Sequence, residues 1–436
     1  MYKNQLIDFI NKTLQELVSS SKENIIFLPI LLYVVSLGLS LEINNFFFIL
    51  LFVISLTKLS TFRFSFRLLL LQLFFVWVSL SYFWSIDDLK TLRSIPREIH
   101  FFILPFIFYY NGSYFKSFSE KIIKYFSFSI FIITTYYVLR SLIRFFLTND
   151  KRVFFFHGEY NNDFGLVPKE LNAVHFSVFV ALAYFYFLQK EKKSNFEIFI
   201  LSFFLVAILL LSSSIVIVTV VLLTLLYYFF FSKIANKMRL RNIVLFAIAI
   251  TSISFYSKIV KLLETEIKTN THQTIGHNVI DTIPSLHDKV TIYEAWNKEQ
   301  FTTYDFFPGT AFRVYQFRIF LEILSDEDFF WKGLGFNASQ SKIQEKCVEY
   351  NIFLGNEHYE GYQMKNFHNQ YIQVFAELGI FGLILLITIL FFNIKNAFLS
   401  KDFLHIAFSI LMISLFLTES FLWRQRGVAF FVIFYC

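Results

Sequence analysis

The chain has 436 residues, of which 56% are hydrophobic, 21% aromatic and 16% charged, with 63 phenylalanines and a formal net charge of +7. Soluble domains carry about a quarter charged residues, so this balance, with apolar runs of about 20 residues, excludes an ordinary soluble fold and points to membrane spans. The lysines and arginines are dispersed among those runs rather than gathered in a patch, which excludes a nucleic-acid surface, and the two cysteines, Cys347 and Cys436, have neither disulfide-framework nor metal-site spacing.

Residues 1–24 mix Lys and Glu and lack a small-residue cleavage site, so they read as a cytoplasmic segment and the first span as a signal anchor. Apolar segments follow at 25–41, 45–57, 68–84, 100–110, 123–146, 171–188, 196–211, 214–231, 242–256, 369–393, 403–418 and 427–436. The expected fold class is therefore an all-α polytopic membrane protein of about 12 transmembrane helices. About nine of them fall in 25–256 and about three in 368–436. The segments 100–110 and 427–436 are short for spans. With the N-terminus in the cytoplasm, the inner turns hold eighteen Lys and Arg and the short outer loops eight. Part of the net charge is thus a topology signal.

Several cationic side chains fall near the outer ends of the spans. Arg140 and Arg144 lie late in the 123–146 segment, Arg152 and His157 in the loop after it, and His175 at the start of the next span. Charge at that depth is functional, paired, or snorkelling to headgroups.

One large segment, 257–367, is expected on the outer, periplasmic side, and a stretch of that length should have structure of its own. Within it, Phe312, Tyr315, Ile319, Phe320 and Ile323 have helical spacing over Thr310 to Asp326. The acidic run Asp326-Glu327-Asp328 opposes the helix dipole and favours an end near Leu324. This helix carries Arg313 and Arg318. Arginine suits a diphosphate, because its planar fork donates two parallel charge-assisted hydrogen bonds; a solvated face paired with Glu322 is the alternative. Next come Gly333 and Gly335, whose spacing suggests a tight turn. Glu357, His358 and Glu360 could hold a metal, but their spacing is not diagnostic and a solvated loop is the simpler reading. The chain has no Walker A loop, no dinucleotide Gly-rich turn, no His-Glu-x-x-His and no Asp-x-Asp.

The polar stretch ends at His368, where an apolar helix begins. The string reads His368-Asn369, nine residues, Gly379, two residues, Gly382. An imidazole at a water–membrane boundary can take a proton from a hydroxyl near neutral pH. The glycine pair alone would serve equally as a helix-packing face.

The block Phe312-Arg313 through Gly333-Leu334-Gly335, with His368-Asn369-Gln370-Tyr371 and Glu377-Leu378-Gly379-Ile380-Phe381-Gly382, resembles the O-antigen ligase and polymerase superfamily of bacterial envelope glycosyltransferases. Arg313, Gly333, Gly335, His368, Gly379 and Gly382 match its motifs residue by residue. Asn172-Ala173-Val174-His175 is similar to the family's outer entry to a middle span, and Glu419 to Gly427 resembles the close of Bacteroidetes members. Leu211-Ser212-Ser213-Ser214 resembles a family Ser-Arg turn but lacks its arginine, which Arg140, Arg144 or Arg152 could replace. The similarity is strong over about 310–385 and thin elsewhere.

The resemblance implies a C-type glycosyltransferase fold in the bacterial inner membrane. It implies an undecaprenyl-diphosphate-linked glycan donor and, as acceptor, either a second lipid-linked glycan (polymerase) or lipid A–core (ligase). It leaves room for other envelope polysaccharide assembly proteins as partners. No metal or other cofactor is expected. His368 is expected to activate the acceptor hydroxyl and Arg313 to stabilise the departing diphosphate, with Arg318, Arg140, Arg144, Arg152, His175, Asn369 and Gln370 contributing to substrate binding. Tyr304, Tyr315, Trp296 and Trp331 could stack on sugars, though core packing is the ordinary use of such residues. The competing class is a transporter or flippase for lipid-linked sugar, which favours duplicated halves and broken helices.

Overall fold

The structure is a computed structural model, and it describes residues 15–156, 165–233, 289–356 and 360–436, with a few isolated positions between 238 and 243. Among these residues the architecture is helical, with two isolated β-bridges, Lys289 to Phe306 and Gly355 to Glu360, and no strand. Residues 244–256 of the segment read at 242–256, together with His157, Glu357 and His358, lie outside the described residues.

The first half comprises α1 (Phe27–Val35), α2 (Leu41–Thr57), α3 (Phe66–Leu80), α4 (Asp88–Ser94), α5 (His100–Thr148), α6 (Ala173–Gln189), α7 (Asn195–Leu210) and α8 (Ser214–Leu226). The loop unit holds α9 (Ile292–Asn297), α10 (Gly309–Asp326) and α11 (Ser339–Glu349). It is followed by α12 (Gln370–Ser400), α13 (Phe403–Phe416) and α14 (Gln425–Tyr435). Four stretches among the described residues are long and apolar enough to cross a membrane, and six shorter apolar helices accompany them. Helix α6 is buried on every side from Ala173 to Leu188, as a helix at the centre of a bundle must be.

Helix α5 spans both apolar segments read at 100–110 and 123–146, with Pro105 inside it. It nevertheless reverses direction. Phe101 lies 6.3 Å from Phe431 and Phe126 lies 6.3 Å from Phe430, neighbouring positions of α14. A straight helix would hold those two phenylalanines about 37 Å apart. The rings of Phe108 and Phe115 are 4.3 Å apart, which places the bend around Asn111-Gly112. The two limbs therefore pack as two elements against one helix.

The loop unit has its own core, built from Phe301, Phe307, Tyr315, Ile319, Phe320 and their neighbours, and it continues into Phe367 and Ala376 at the start of α12. Helix α10 extends past Leu324 to Asp326. Lys346 explains the difference: its ammonium sits 3.1 Å from the Asp326 carboxylate and offsets the acid against the negative helix end.

The glycines join loop unit and membrane helix. Within α12, Gly379 has φ 67 and ψ −168, so the helix is broken there. The carbonyls freed by the break are taken by the turn before α11: Leu334 N–H donates to Ala376 O and Gly335 N–H to Glu377 O, each at 2.9 Å. In return Ile380 N–H donates to Phe330 O at 2.8 Å, and Trp77 Nε1 donates to Leu378 O at 2.9 Å. A Cβ at Gly333 would stand 2.3 Å from the Glu377 carbonyl, and one at Gly379 would stand 2.4 Å from the Lys332 nitrogen. Two strings that read as a turn and a packing face are thus the two halves of one joint.

Candidate functional site

His368 is set at the junction by its own backbone. It adopts φ 46, a left-handed conformation, and its N–H donates to Asn366 Oδ1 at 2.9 Å in a local turn. Gln316 of α10 donates its amide to the Asn366 carbonyl, so the loop helix grips the same turn. Phe312 packs its ring edge against the imidazole, with centroids 6.0 Å apart. Asn369 caps α12, accepting from Tyr371 N–H and Ile372 N–H, and donates to Leu417 O at 3.1 Å. Gln370 is buried and accepts from Leu422 N–H at 2.7 Å. Both side chains hold the segment 417–422 against the start of α12.

That segment delivers a carboxylate which the sequence reading does not assign to the site. Glu419 Oε2 stands 3.4 Å from His368 Nδ1, an ion-pair distance without hydrogen-bond alignment, and Glu419 Oε1 stands 3.2 Å from Arg313 Nη2. Arg313 is fixed further through Nε to Thr418 O at 3.2 Å and Nη1 to Gly309 O at 3.3 Å. Burial pushes the Glu419 carboxyl up, but His368, Arg313 and Arg424 outweigh it and hold the group below the ordinary carboxylate value. The arrangement is imidazole, carboxylate, guanidinium in a row. A carboxylate on Nδ1 leaves Nε2 of the same ring to meet a hydroxyl, the division of labour seen wherever an imidazole serves as an oriented base.

His175 comes near this row from the centre of the bundle. It is buried, stacks on Phe421 with centroids 4.3 Å apart, and feels the charges of Arg424 and Arg426. Glu360 forms a second charged group, pairing with Lys169 at 3.2 Å and Lys365 at 3.4 Å. Arg424 lies within electrostatic reach of both Glu360 and Glu419.

The remaining cations have other partners. Arg318 binds Glu322 Oε1 at 2.9 Å, the Lys298 carbonyl and the Tyr350 hydroxyl, each at 2.8 Å, sharing none with Arg313. Arg140 reaches the carbonyls of Gly165 and Leu166 at 3.4 Å, and Arg144 lies one turn further along the same limb. Arg152 forks onto Asp150. Of the four aromatics, Tyr315 is in the loop core, whereas Tyr304, Trp296 and Trp331 are exposed. Among the described residues no three His, Cys, Asp or Glu side chains group as a metal site.

A family model described as O-antigen ligase matches residues 174–387, a span that includes Arg313, the glycine joint and His368. The chain belongs to the O-antigen ligase/polymerase superfamily. No curated protein matches it. The superfamily match ends before α13, so Glu419 and the closing segment come to the site from outside the matched region. As an O-antigen ligase-type protein, the chain is a membrane glycosyltransferase-like protein, and its motif residues converge on one junction.

Proposed function

We propose that this protein transfers a glycan on the periplasmic face of the bacterial inner membrane. The donor is an undecaprenyl-diphosphate-linked glycan and the acceptor a hydroxyl of a second lipid-linked glycan or of lipid A–core. The observation that carries the reading is the His368–Glu419–Arg313 row at the boundary between loop unit and α12.

The acceptor oxygen attacks the anomeric carbon of the donor, forming a new glycosidic bond. The bond from that carbon to the phosphate oxygen breaks, and its electron pair leaves with the lipid diphosphate. His368 Nε2 takes the hydroxyl proton while Glu419 on Nδ1 stabilises the cation that forms. Arg313 meets the charge that develops on the leaving group. The exposed Trp296, Tyr304 and Trp331 offer faces for sugar rings. Outward placement of the loop rests on the Lys/Arg bias of the inner turns.

A broken membrane helix also suits a transporter, and α12 is broken at Gly379. Here, however, the carbonyls of Ala376, Glu377 and Leu378 at the break are taken by Leu334, Gly335 and Trp77, so these three are not open to coordinate cargo. The decisive test is His368→Ala in a strain lacking the native gene. Transfer of glycan is expected to vanish while membrane insertion and expression persist. Near-normal transfer by that variant would refute the role. Single unpolymerised repeats on lipid A–core in the deletion strain indicate a polymerase; chains stranded on the carrier indicate a ligase.

A further inference from the structure

Two buried carboxyls take no part in the His368 row. Glu98 ends the turn Ile95–Glu98 just before α5, and Glu377 stands two residues before the break in α12. They are 1% and 2% exposed. Both line one small cavity of about 10 Å³, whose other walls include Phe74 of α3, Phe336 of the loop unit and Trp423 of the closing segment. That volume admits one water-sized guest.

The two carboxyls are satisfied differently. Glu377 Oε1 accepts from Ser339 Oγ at 2.9 Å and from Gln373 Nε2 at 2.6 Å. The amide nitrogen can only donate, so this oxygen carries no proton. Glu98 Oε1 is buried without a hydrogen-bond partner. Among the described residues neither carboxyl pairs with a Lys, Arg or His, and no hydrogen bond joins one to the other. Arg97 supplies one positive charge nearby. Its guanidinium lies over the rings of Phe336 and Trp423, two walls of the cavity, at 5.8 and 5.5 Å. One guanidinium thus stands against two carboxylates, and one negative charge is left over. A buried charge without a partner is strongly disfavoured. A proton shared directly between the carboxyls would join them by a hydrogen bond; what they share instead is a cavity.

Hard cations take oxygen ligands. Ca²⁺ asks for about six to eight oxygens and Mg²⁺ keeps several waters, more than a cavity with room for one water can supply. A monovalent ion balances the remaining charge, whereas a divalent ion overshoots it. Gln370, on the same wall, spends one lone pair of Oε1 on Leu422 N–H and keeps the other.

We propose that the cavity between Glu98 and Glu377 holds one small monovalent cation of the sodium class, bound by both carboxylates with Gln370 Oε1 as a neutral ligand. The ion ties the turn before α5 to α12 and to the closing segment. Gln373 extends this hold to the His368 row: its Oε1 accepts from Phe367 N–H at 3.1 Å and from Ser420 Oγ at 3.4 Å, the neighbours of His368 and Glu419.

The test measures binding of radiolabelled sodium ion to the purified full chain in detergent, together with thermal unfolding in sodium chloride and in N-methylglucamine chloride of equal ionic strength. Wild type is expected to bind a single saturable sodium ion and to melt higher in the sodium salt. Glu98→Gln keeps the shape and one oxygen but removes the charge. It is expected to bind sodium about ten- to a hundredfold more weakly and to melt alike in both salts. Glu98→Asp keeps the charge on a shorter arm and is expected to fall between; it decides the matter if the glutamine variant does not fold. No sodium-specific binding by wild type means that the cavity holds water or the pair a proton, and overturns the proposal. Equal binding by wild type and the Glu98 variants places the ion elsewhere and also overturns it, as does full displacement of sodium by equimolar Ca²⁺ or Mg²⁺. None of these readouts uses glycan transfer, so the site stands or falls apart from the Proposed function.

Discussion

Gly379→Ala isolates the joint between loop unit and membrane helix. The native φ 67 and ψ −168 fall in a region that is essentially reserved for glycine and costs other residues about 1–3 kcal/mol. The added Cβ would also stand 2.4 Å from the Lys332 nitrogen and from the carbonyl carbon and oxygen of Trp331. Those atoms are backbone and cannot rotate away. Relief requires withdrawing the turn, which gives up the hydrogen bonds Leu334 to Ala376, Gly335 to Glu377 and Ile380 to Phe330. At about 1 kcal/mol net for each, the total reaches about 4–6 kcal/mol, a large part of the stability of a typical domain. Thermal unfolding of the detergent-solubilised chain, followed by size-exclusion chromatography, is expected to show Gly379→Ala melting far below wild type. Gly112→Ala, whose Cβ meets nothing within 4 Å, is expected to melt with wild type. If Gly379→Ala also melts with wild type, the joint is not what holds the two parts together.

Four further outcomes are expected. Arg313→Gln should lower kcat for glycan transfer by about 10²–10³-fold, the usual cost of removing one donor to a developing anion, while leaving expression unchanged. Glu419→Gln should lower kcat by about 10²–10⁴-fold, the range of a general base deprived of its orienting partner, and reconstituted transfer assays would show it. Because the folded Glu419 carboxyl lies below its ordinary value, its contribution to stability is present above about pH 4.5 and is lost as pH falls through the folded value, so acid titration should destabilise wild type more than Glu419→Gln. Burial pushes the Cys347 thiol up to about 12, so in a Cys436→Ser background a maleimide should label the chain only after unfolding.

The membrane class and the two limbs of α5 were legible in the sequence, because apolar runs separated by Lys116, Lys121 and Lys124 carry that information locally. Arg313 and His368 were legible as motif residues. Glu419 was not marked as a partner, since nothing in a linear string pairs it with a histidine 51 positions earlier. Arg318 misleads for a geometric reason: five residues along a helix turn a side chain about 140° away, toward Tyr350 rather than Glu419. The break at Gly379 was hidden because the apolar pattern runs straight through it, and only the close approach of Trp331 and Lys332 shows why a glycine stands there.

The joint also limits how this site can open. A lid works by swinging on a soft hinge, and here the loop backbone is woven into the hydrogen-bond ladder of a membrane helix on both sides of Gly379. Lifting the loop unit from that end would strip carbonyls inside an apolar helix bundle, where no water waits to replace the lost bonds. If the proposed glycan transfer holds, the substrate has to reach the His368 row past the edge of the loop unit rather than under a raised lid.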